Sequence, residues 1–95
     1  MTNDEIVLRK TAQYLGISVD EAANMAMLGT LPVFHTYAYW QELGYQVQKG
    51  EKAKFSAKIW KQGHRKDDEG QAHEIMFLKQ SAFFAFDQVK KIEAA

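Results

Sequence analysis

The sequence predicts an α+β domain in which a helical hairpin and a short third helix pack on a small antiparallel sheet. Apolar residues recur at helical spacing through residues 4–43, and the spacing changes to strand-like alternation at Lys54. A polar segment then separates two strand-like runs, 54–61 and 74–84, as in a β-hairpin. A chain of 95 residues can build one hydrophobic core and not two, so we expect a single domain over residues 1–95.

The first two helices form a helical front, residues 1–33. Helical spacing over residues 4–15 stops at a glycine, which is typical of a helix end. Ser18 is followed three residues later by Glu21, which is the sequence of a capping box, so a second helix begins after Ser18. Gly29 ends this second helix.

A short third helix and a turn follow the hairpin. Pro32 disfavours helix at the residue before it, so the chain is expected to be a connector there. Thr36 can cap a helix over residues 37–43, which Gly44 terminates. Residues 49–52 read Lys-Gly-Glu-Lys and predict a turn.

The strands come after this turn. Alternation over residues 54–61 predicts a half-buried strand, because side chains of successive strand residues point to opposite faces. One face holds Phe55, Ala57 and Ile59, and the other holds Lys54, Ser56, Lys58 and Trp60. The polar residues 62–71 are expected to form a long mobile hairpin loop before the second strand, 74–84. Residues 87–92 are expected to form a helical turn or short C-terminal helix.

Composition excludes several classes of protein. The chain has no cysteine, which excludes disulfides and thiolate zinc sites. No run approaches the ~18 consecutive apolar residues of a membrane span. The acidic first five residues lack the basic start of a secretory signal. We therefore expect a cytoplasmic protein with no membrane partner.

Catalytic and metal-binding patterns are incomplete. The sequence His73-Glu74 begins the zincin pattern, but Phe77 stands where the second histidine is needed. Residues 67–69 are acidic but lack the alternating ligands of a calcium loop. Serine and threonine occur without the base and orienting group that nucleophilic catalysis requires. The sequence therefore predicts a protein that is not an enzyme and that has no metal and no cofactor.

Positive charge is concentrated in one segment of a chain whose formal net charge is zero. Residues 44–61 carry five lysines and one acidic residue, Glu51. Residues 1–43 carry two basic and five acidic residues. A local basic stripe produces a binding field even when the whole chain is neutral, so residues 44–61 indicate a polyanionic partner.

Aromatic residues accompany these lysines. Proteins that bind single strands combine a cationic groove with aromatic platforms on which unpaired bases stack. Trp60 shares a predicted strand face with Lys54 and Lys58, whereas Trp40 and Phe55 are expected in the core. The alternative interpretation places Trp60 in the core, as for Trp40 and Phe55. The candidate nucleic-acid-binding residues are Lys49, Lys52, Lys54, Lys58, Trp60, Lys61, Tyr37 and Tyr45.

Two segments of the chain resemble the ArdC-type antirestriction N-terminal domain family. Residues 34–52 contain a Thr-Tyr helix start, an aromatic helix and the run Val-x-Lys-Gly-Glu-Lys, as in that family. Residues 83–89, Phe-Phe-Ala-Phe-Asp-Gln-Val, are similar to the closing strand of the family, in which an aromatic residue is followed by Phe, Asn or Asp and a nearby Gln. The resemblance covers about residues 34–92 and leaves the helical front unassigned.

The resemblance implies binding of single-stranded DNA by a protein of a mobile genetic element, such as a plasmid, phage or integrative element. Longer family members carry a zincin-like metalloprotease domain after this region. The present sequence has no His-Glu-x-x-His, so the protease role is not carried over. Whether antirestriction activity follows without that domain is a separate question.

Two other functions compete with single-strand binding. Residues 12–28 have the spacing of a helix-turn-helix, which would make the chain a regulator that binds duplex DNA. Asp20 and Glu21 lie where a recognition helix needs donors and cations, and Asn24 is its one plausible base reader. The third hypothesis is an interaction module whose aromatic surface and helical hairpin dock a protein partner or form a homodimer.

Overall fold

The computed structural model describes residues 1–93 and has the α+β architecture that the sequence predicts. Its elements are α1 (Asn3–Leu15), α2 (Val19–Leu28), β1 (Phe34–Thr36), α3 (Tyr37–Glu42), β2 (Tyr45–Val47), β3 (Phe55–Lys66), β4 (Ala72–Ala85), a 3-10 turn (Phe86–Gln88) and β5 (Val89–Lys91). Among these residues, no helix is long and apolar enough to cross a membrane.

Side-chain caps begin the helices at the predicted positions. The Ser18 hydroxyl accepts a hydrogen bond of 3.0 Å from the Glu21 backbone N–H, and α2 starts after it. The Thr36 hydroxyl accepts one of 3.2 Å from the Tyr39 N–H at the start of α3. Gly16 ends α1 with a φ of 72°, a left-handed conformation that glycine adopts without steric cost. These local signals explain why the helices were predictable.

The strands form two antiparallel sheets. The larger sheet has the order β1-β4-β3, and the smaller one pairs β2 with β5. The register of β3 and β4 runs from the pair Phe55 and Phe83 to the pair Lys66 and Ala72. Strand β4 is therefore central, and β1 covers only its end, from Phe83 to Ala85.

The hairpin of β3 and β4 is longer than the sequence indicates. The loop expected over residues 62–71 is reduced to residues 67–71, because both strands extend into it. Residues 64–66 and 72–80 are exposed on both faces of this extension. Neither face is covered there, so the segment has no burial pattern from which a strand could be predicted.

The C-terminal helix expected over residues 87–92 is replaced by the 3-10 turn and by β5. The Gln88 side-chain oxygen accepts a hydrogen bond of 2.8 Å from the Ala85 N–H, which closes the turn. Strand β5 then pairs with β2, where Val89 lies opposite Val47. Burial of Val89 in a cluster with Trp40 and Phe84 favours the extended backbone over further helix.

Two hydrophobic clusters lie on opposite faces of the larger sheet. The first contains Phe34, Ala57, Ile59 and Phe83, with Ile6 and Val7 of α1 packed against it. The second contains Trp40, Phe84 and Val89, with residues of β2 packed against it. Because Phe83 and Phe84 are consecutive in β4, they point to opposite faces and contribute one residue to each cluster. The expected core position of Trp40 is confirmed, and Phe55 packs at the margin of the first cluster.

Candidate nucleic-acid interface

The turn between β2 and β3 is fixed to the end of β4 by the side chain of Gln88, which is 3% exposed. Its Nε2 donates to the Lys52 carbonyl at 2.6 Å and to Glu51 Oε2 at 3.1 Å. The Gln88 carbonyl accepts a hydrogen bond of 2.9 Å from the Gln48 N–H. These bonds join the two segments on which the family resemblance rests, and they hold the turn in one position.

The same turn presents two of the predicted lysines to solvent. Gly50 has a φ of 87°, which lets the chain reverse between Lys49 and Lys52. Both lysines are exposed. Within residues 1–93, neither ammonium forms an ion pair with a carboxylate. Both charges are therefore available to an external anion.

Strand β3 carries the predicted aromatic and cationic face. Ala57 and Ile59 are 3% and 7% exposed, whereas Lys58 is exposed and Trp60 is 38% exposed. This burial confirms the predicted alternation. Lys54 precedes the strand and is half-buried. Because Lys58 and Trp60 are two residues apart on one face, they are separated by about 7 Å along the strand.

Trp60 is held in place without belonging to the core. Its indole Nε1 donates a hydrogen bond of 3.1 Å to the Met1 carbonyl. The Asn3 side chain also bonds to the Trp60 main chain. The orientation of the ring is therefore restrained, while more than a third of the residue's surface stays exposed. A restrained, exposed indole is what base stacking requires.

Lys61 is not brought together with Lys58 and Trp60. It lies on the opposite face of β3, half-buried and paired across the hairpin with Phe77. It lines a cleft of about 620 Å³ between α1, the connector of residues 29–34 and the sheet, and Trp60 also contributes to the lining of this cleft. The candidate residues of β3 therefore lie on two faces of the strand, with Lys58 and Trp60 on one and Lys61 on the other.

The two candidate tyrosines also differ in their surroundings. Tyr37 is 43% exposed at the start of α3. Tyr45 is half-buried, and its ring centroid lies 5.6 Å from that of Trp40 and 5.7 Å from that of Phe86. The Tyr45 ring therefore packs within an aromatic cluster, whereas Tyr37 is open to solvent.

Apolar side chains that the sequence pattern does not indicate lie beside Trp60. Leu78 and Met76 share the face of Trp60 across the hairpin and are 48% and 60% exposed. The run from residue 74 to residue 84 is apolar on both faces of the strand, so its pattern did not indicate which residues are uncovered. The exposed face around Trp60 is thus more apolar than predicted.

His64 and His73 lie near the tip of the β3–β4 hairpin, and His35 lies in β1. His73 Nε2 lies 2.8 Å from Asp67 Oδ2, and this hydrogen bond is the main cause of a lowered pKa of Asp67. Burial lowers the pKa of His35. The centroid of its ring lies 4.5 Å from that of the Tyr39 ring and 4.8 Å from that of the Trp40 ring. Burial therefore favours the uncharged form of the His35 ring. Residues 1–93 contain no group of three or more His, Cys, Asp or Glu that could hold a metal ion.

The helix pair of residues 12–28 presents acidic residues at the start of its second helix. Asp20 and Glu21 are exposed in the first turn of α2, and Asn24 is exposed one turn later. Carboxylates at this position repel the phosphates of a duplex. No contact in this segment favours the helix-turn-helix hypothesis over binding at β3.

Comparison with models of protein families agrees with the resemblance found in the sequence. Residues 9–84 match the family model of the N-terminal domain of the anti-restriction factor ArdC. The crystal structure of the metal-free antirestriction ArdC protein from the R388 plasmid matches with 30% identity and a TM-score of 0.43. The match covers 79% of the present chain and 28% of that protein. No curated protein matches the chain.

Proposed function

The chain belongs to the family of N-terminal domains of the anti-restriction factor ArdC, and we propose that it is a binding module for single-stranded DNA rather than an enzyme. We further propose that it is encoded by a mobile genetic element and contributes to antirestriction. The family model supports a contribution to antirestriction, since it describes part of an anti-restriction factor. The present chain spans 28% of the ArdC protein that it matches in structure, so the activity of that whole protein is not assumed for it.

One observation carries the proposal of single-strand binding. Trp60 and Lys58 lie on an uncovered face of β3, with Leu78 and Met76 beside them. The indole offers a surface on which an unpaired base stacks, and the ammonium binds an adjacent phosphate. Exposed apolar side chains next to the indole extend the surface for further bases.

This arrangement favours unpaired over paired DNA. The bases of a duplex are already stacked on one another and cannot use an aromatic platform. Local cations near a stacking surface therefore favour a strand whose bases are free.

A salt titration with matched single- and double-stranded oligonucleotides tests the proposal. We expect tighter binding to the single strand. If about three lysines neutralise phosphates, the logarithm of the binding constant falls with the logarithm of salt concentration at a slope of roughly −2. Equal or tighter binding to the duplex would support the helix-turn-helix hypothesis. Absence of binding to either, together with a stable dimer in solution, would support the interaction module.

A further inference from the structure

Strand β5 brings two lysines beside a third that is distant in sequence. The register of β2 and β5 places Lys90 opposite Gln46 and Lys91 opposite Tyr45. Lys49 follows β2 in the turn that Gln88 holds. A helix over residues 87–92 would have lacked this pairing, so the juxtaposition depends on the strand that the structure contains.

These lysines line a cleft of about 490 Å³ on the smaller sheet, which we call the β2–β5 cleft. Three lysines, two glutamines and one glutamate line it, namely Lys49, Lys90, Lys91, Gln46, Gln48 and Glu93. Because Lys90 and Lys91 are consecutive in β5, their side chains point to opposite faces of the strand pair, and Lys90 shares the face of Gln46. All three lysines are exposed, and none forms an ion pair in the part of the chain that the structure describes.

The three lysines give the lining of the cleft three positive charges, and the single carboxylate of Glu93 balances only part of this charge. An anion compensates the charge that remains. Phosphate groups fit these donors, because ammonium groups and amide N–H groups both donate to phosphate oxygens. Lys90 and Gln46 lie opposite each other on one face of the strand pair, so both can donate to the same anion.

We infer that the β2–β5 cleft binds a phosphate group, supplied either by the backbone of a DNA strand or by a small phosphorylated molecule. Binding of a DNA strand at the cleft rests on the proposed function. Binding of a phosphate group as such does not depend on it. If the source is a strand, the cleft and the Trp60 face bind different nucleotides of it. Lys49 then belongs to the cleft rather than to the stacking face.

The test uses the full chain labelled with ¹⁵N and inorganic pyrophosphate as the probe, at low ionic strength. We expect saturable NMR shifts of the Gln46 and Gln48 side-chain amides. The double variant K90Q/K91Q should lose these shifts, because two of the three cations are removed. Lys10→Gln removes an equivalent exposed charge from α1 and should retain them. Thermal unfolding of each variant checks that the fold is intact.

A second titration distinguishes the two sources of phosphate. It uses an oligothymidylate of about 12 nucleotides, within the range of site sizes of single-strand binders. If the strand reaches the cleft, K90Q/K91Q should flatten the salt slope by roughly 0.7 for each phosphate that the variant no longer neutralises. If pyrophosphate binds but the double variant binds the oligonucleotide as the wild type does, the cleft serves a small phosphorylated molecule.

The outcomes separate this inference from the proposed function. Saturable pyrophosphate shifts in a protein that binds no oligonucleotide would remove the proposed function and leave the phosphate site. Absence of such shifts at the cleft would overturn the inference, even if oligonucleotides bind well. The inference also fails if Lys10→Gln abolishes the shifts as fully as K90Q/K91Q does.

Discussion

The side-chain amide of Asn3 pairs with the main chain of Trp60, 57 positions away in sequence. Asn3 Oδ1 accepts a hydrogen bond of 2.7 Å from the Trp60 N–H, and Asn3 Nδ2 donates one of 3.0 Å to the Trp60 carbonyl. Since β3 is an edge strand, these groups would otherwise be free to pair with another chain. The amide thus occupies the place of a neighbouring strand and joins the start of α1 to the candidate interface.

Replacement of Asn3 by alanine should destabilise the protein. The variant leaves the Trp60 N–H and carbonyl without their partners, and we expect the free energy of unfolding to fall by about 1–2 kcal/mol. Urea denaturation measures this change, and amide exchange at Trp60 should become faster. Asn24→Ala on the exposed side of α2 serves as the matched control. Equal stability of the two variants would show that the two hydrogen bonds between Asn3 and Trp60 contribute little to the free energy of unfolding.

Replacement of Trp60 by alanine should weaken binding of single-stranded DNA by about 1–3 kcal/mol if a base stacks on the indole. The salt slope should change little, because stacking is largely uncharged. Trp60→Phe keeps an aromatic ring but loses the bond to the Met1 carbonyl, so its affinity should fall between those of the wild type and Trp60→Ala. A folded Trp60→Ala protein that binds at full strength would exclude Trp60 from the site.

The two faces of β3 can be distinguished by their lysines. If the strand lies on the Trp60 face, Lys58→Ala should weaken binding and flatten the salt slope by roughly 0.7. Lys61→Ala removes the same charge from the opposite face and should leave the slope unchanged. Oligonucleotide titrations at several salt concentrations measure both slopes. A larger effect of Lys61→Ala would place the strand at the cleft beside α1 instead.

Replacement of Gln88 by leucine should destabilise the fold strongly. The Ala85 N–H and the Lys52 carbonyl lose their partners in a part-buried site, so we expect a loss of about 2–4 kcal/mol. Chemical denaturation measures it. Gln80→Leu, at an exposed position of β4, should change stability by no more than about 0.5 kcal/mol. A small effect of Gln88→Leu would mean that the turn of residues 48–52 is held by other contacts.

The tip of the β3–β4 hairpin should lose order in acid. The hydrogen bond from His73 and those from the Gln71 and Glu69 N–H groups lower the pKa of Asp67 below its ordinary value of 3.8. Because the pKa of Asp67 is lower in the folded state, its bonds stabilise the hairpin tip fully at pH values above the ordinary pKa of 3.8. This stabilisation is lost as pH falls through the lowered pKa. An NMR pH titration of the Asp67 carboxyl and of the Glu69 and Gln71 amides measures this.

Two aspartate variants test the same prediction for the hairpin tip. Asp67→Asn should abolish the acid transition of the tip amides, because the residue no longer titrates. Asp68→Asn changes the neighbouring charge without removing a bond to these amides, and should leave the transition in place. A midpoint for Asp67 at or above 3.8 would contradict the assigned bonds.

Local signals account for the parts of the fold that the sequence could predict. Ser18 and Thr36 cap their helices with their own hydroxyls, and the alternation of β3 follows from burial of Ala57 and Ile59. Strand β5 has no such signal, since it contains one apolar residue, Val89, followed by two lysines. Its conformation depends on pairing with β2, which no local pattern encodes.

The candidate site was predictable to the same extent. The shared face of Lys58 and Trp60 follows from two-residue alternation, and the same rule places Lys61 on the other side. The contribution of Lys90 to the β2–β5 cleft could not be predicted, because it depends on the pairing of β5. The bond from Asn3 to Trp60 likewise joins distant residues, so the restraint on the indole was not apparent.

The consecutive residues Phe83 and Phe84 have a consequence for synthesis of the chain on the ribosome. Each belongs to a different hydrophobic cluster, so this part of β4 supplies a residue to both faces of the sheet as it emerges. Before Phe83 has emerged, Ile6 and Val7 of α1 lack part of the cluster against which they pack. Completion of both faces of the sheet therefore depends on the same short segment of the nascent chain.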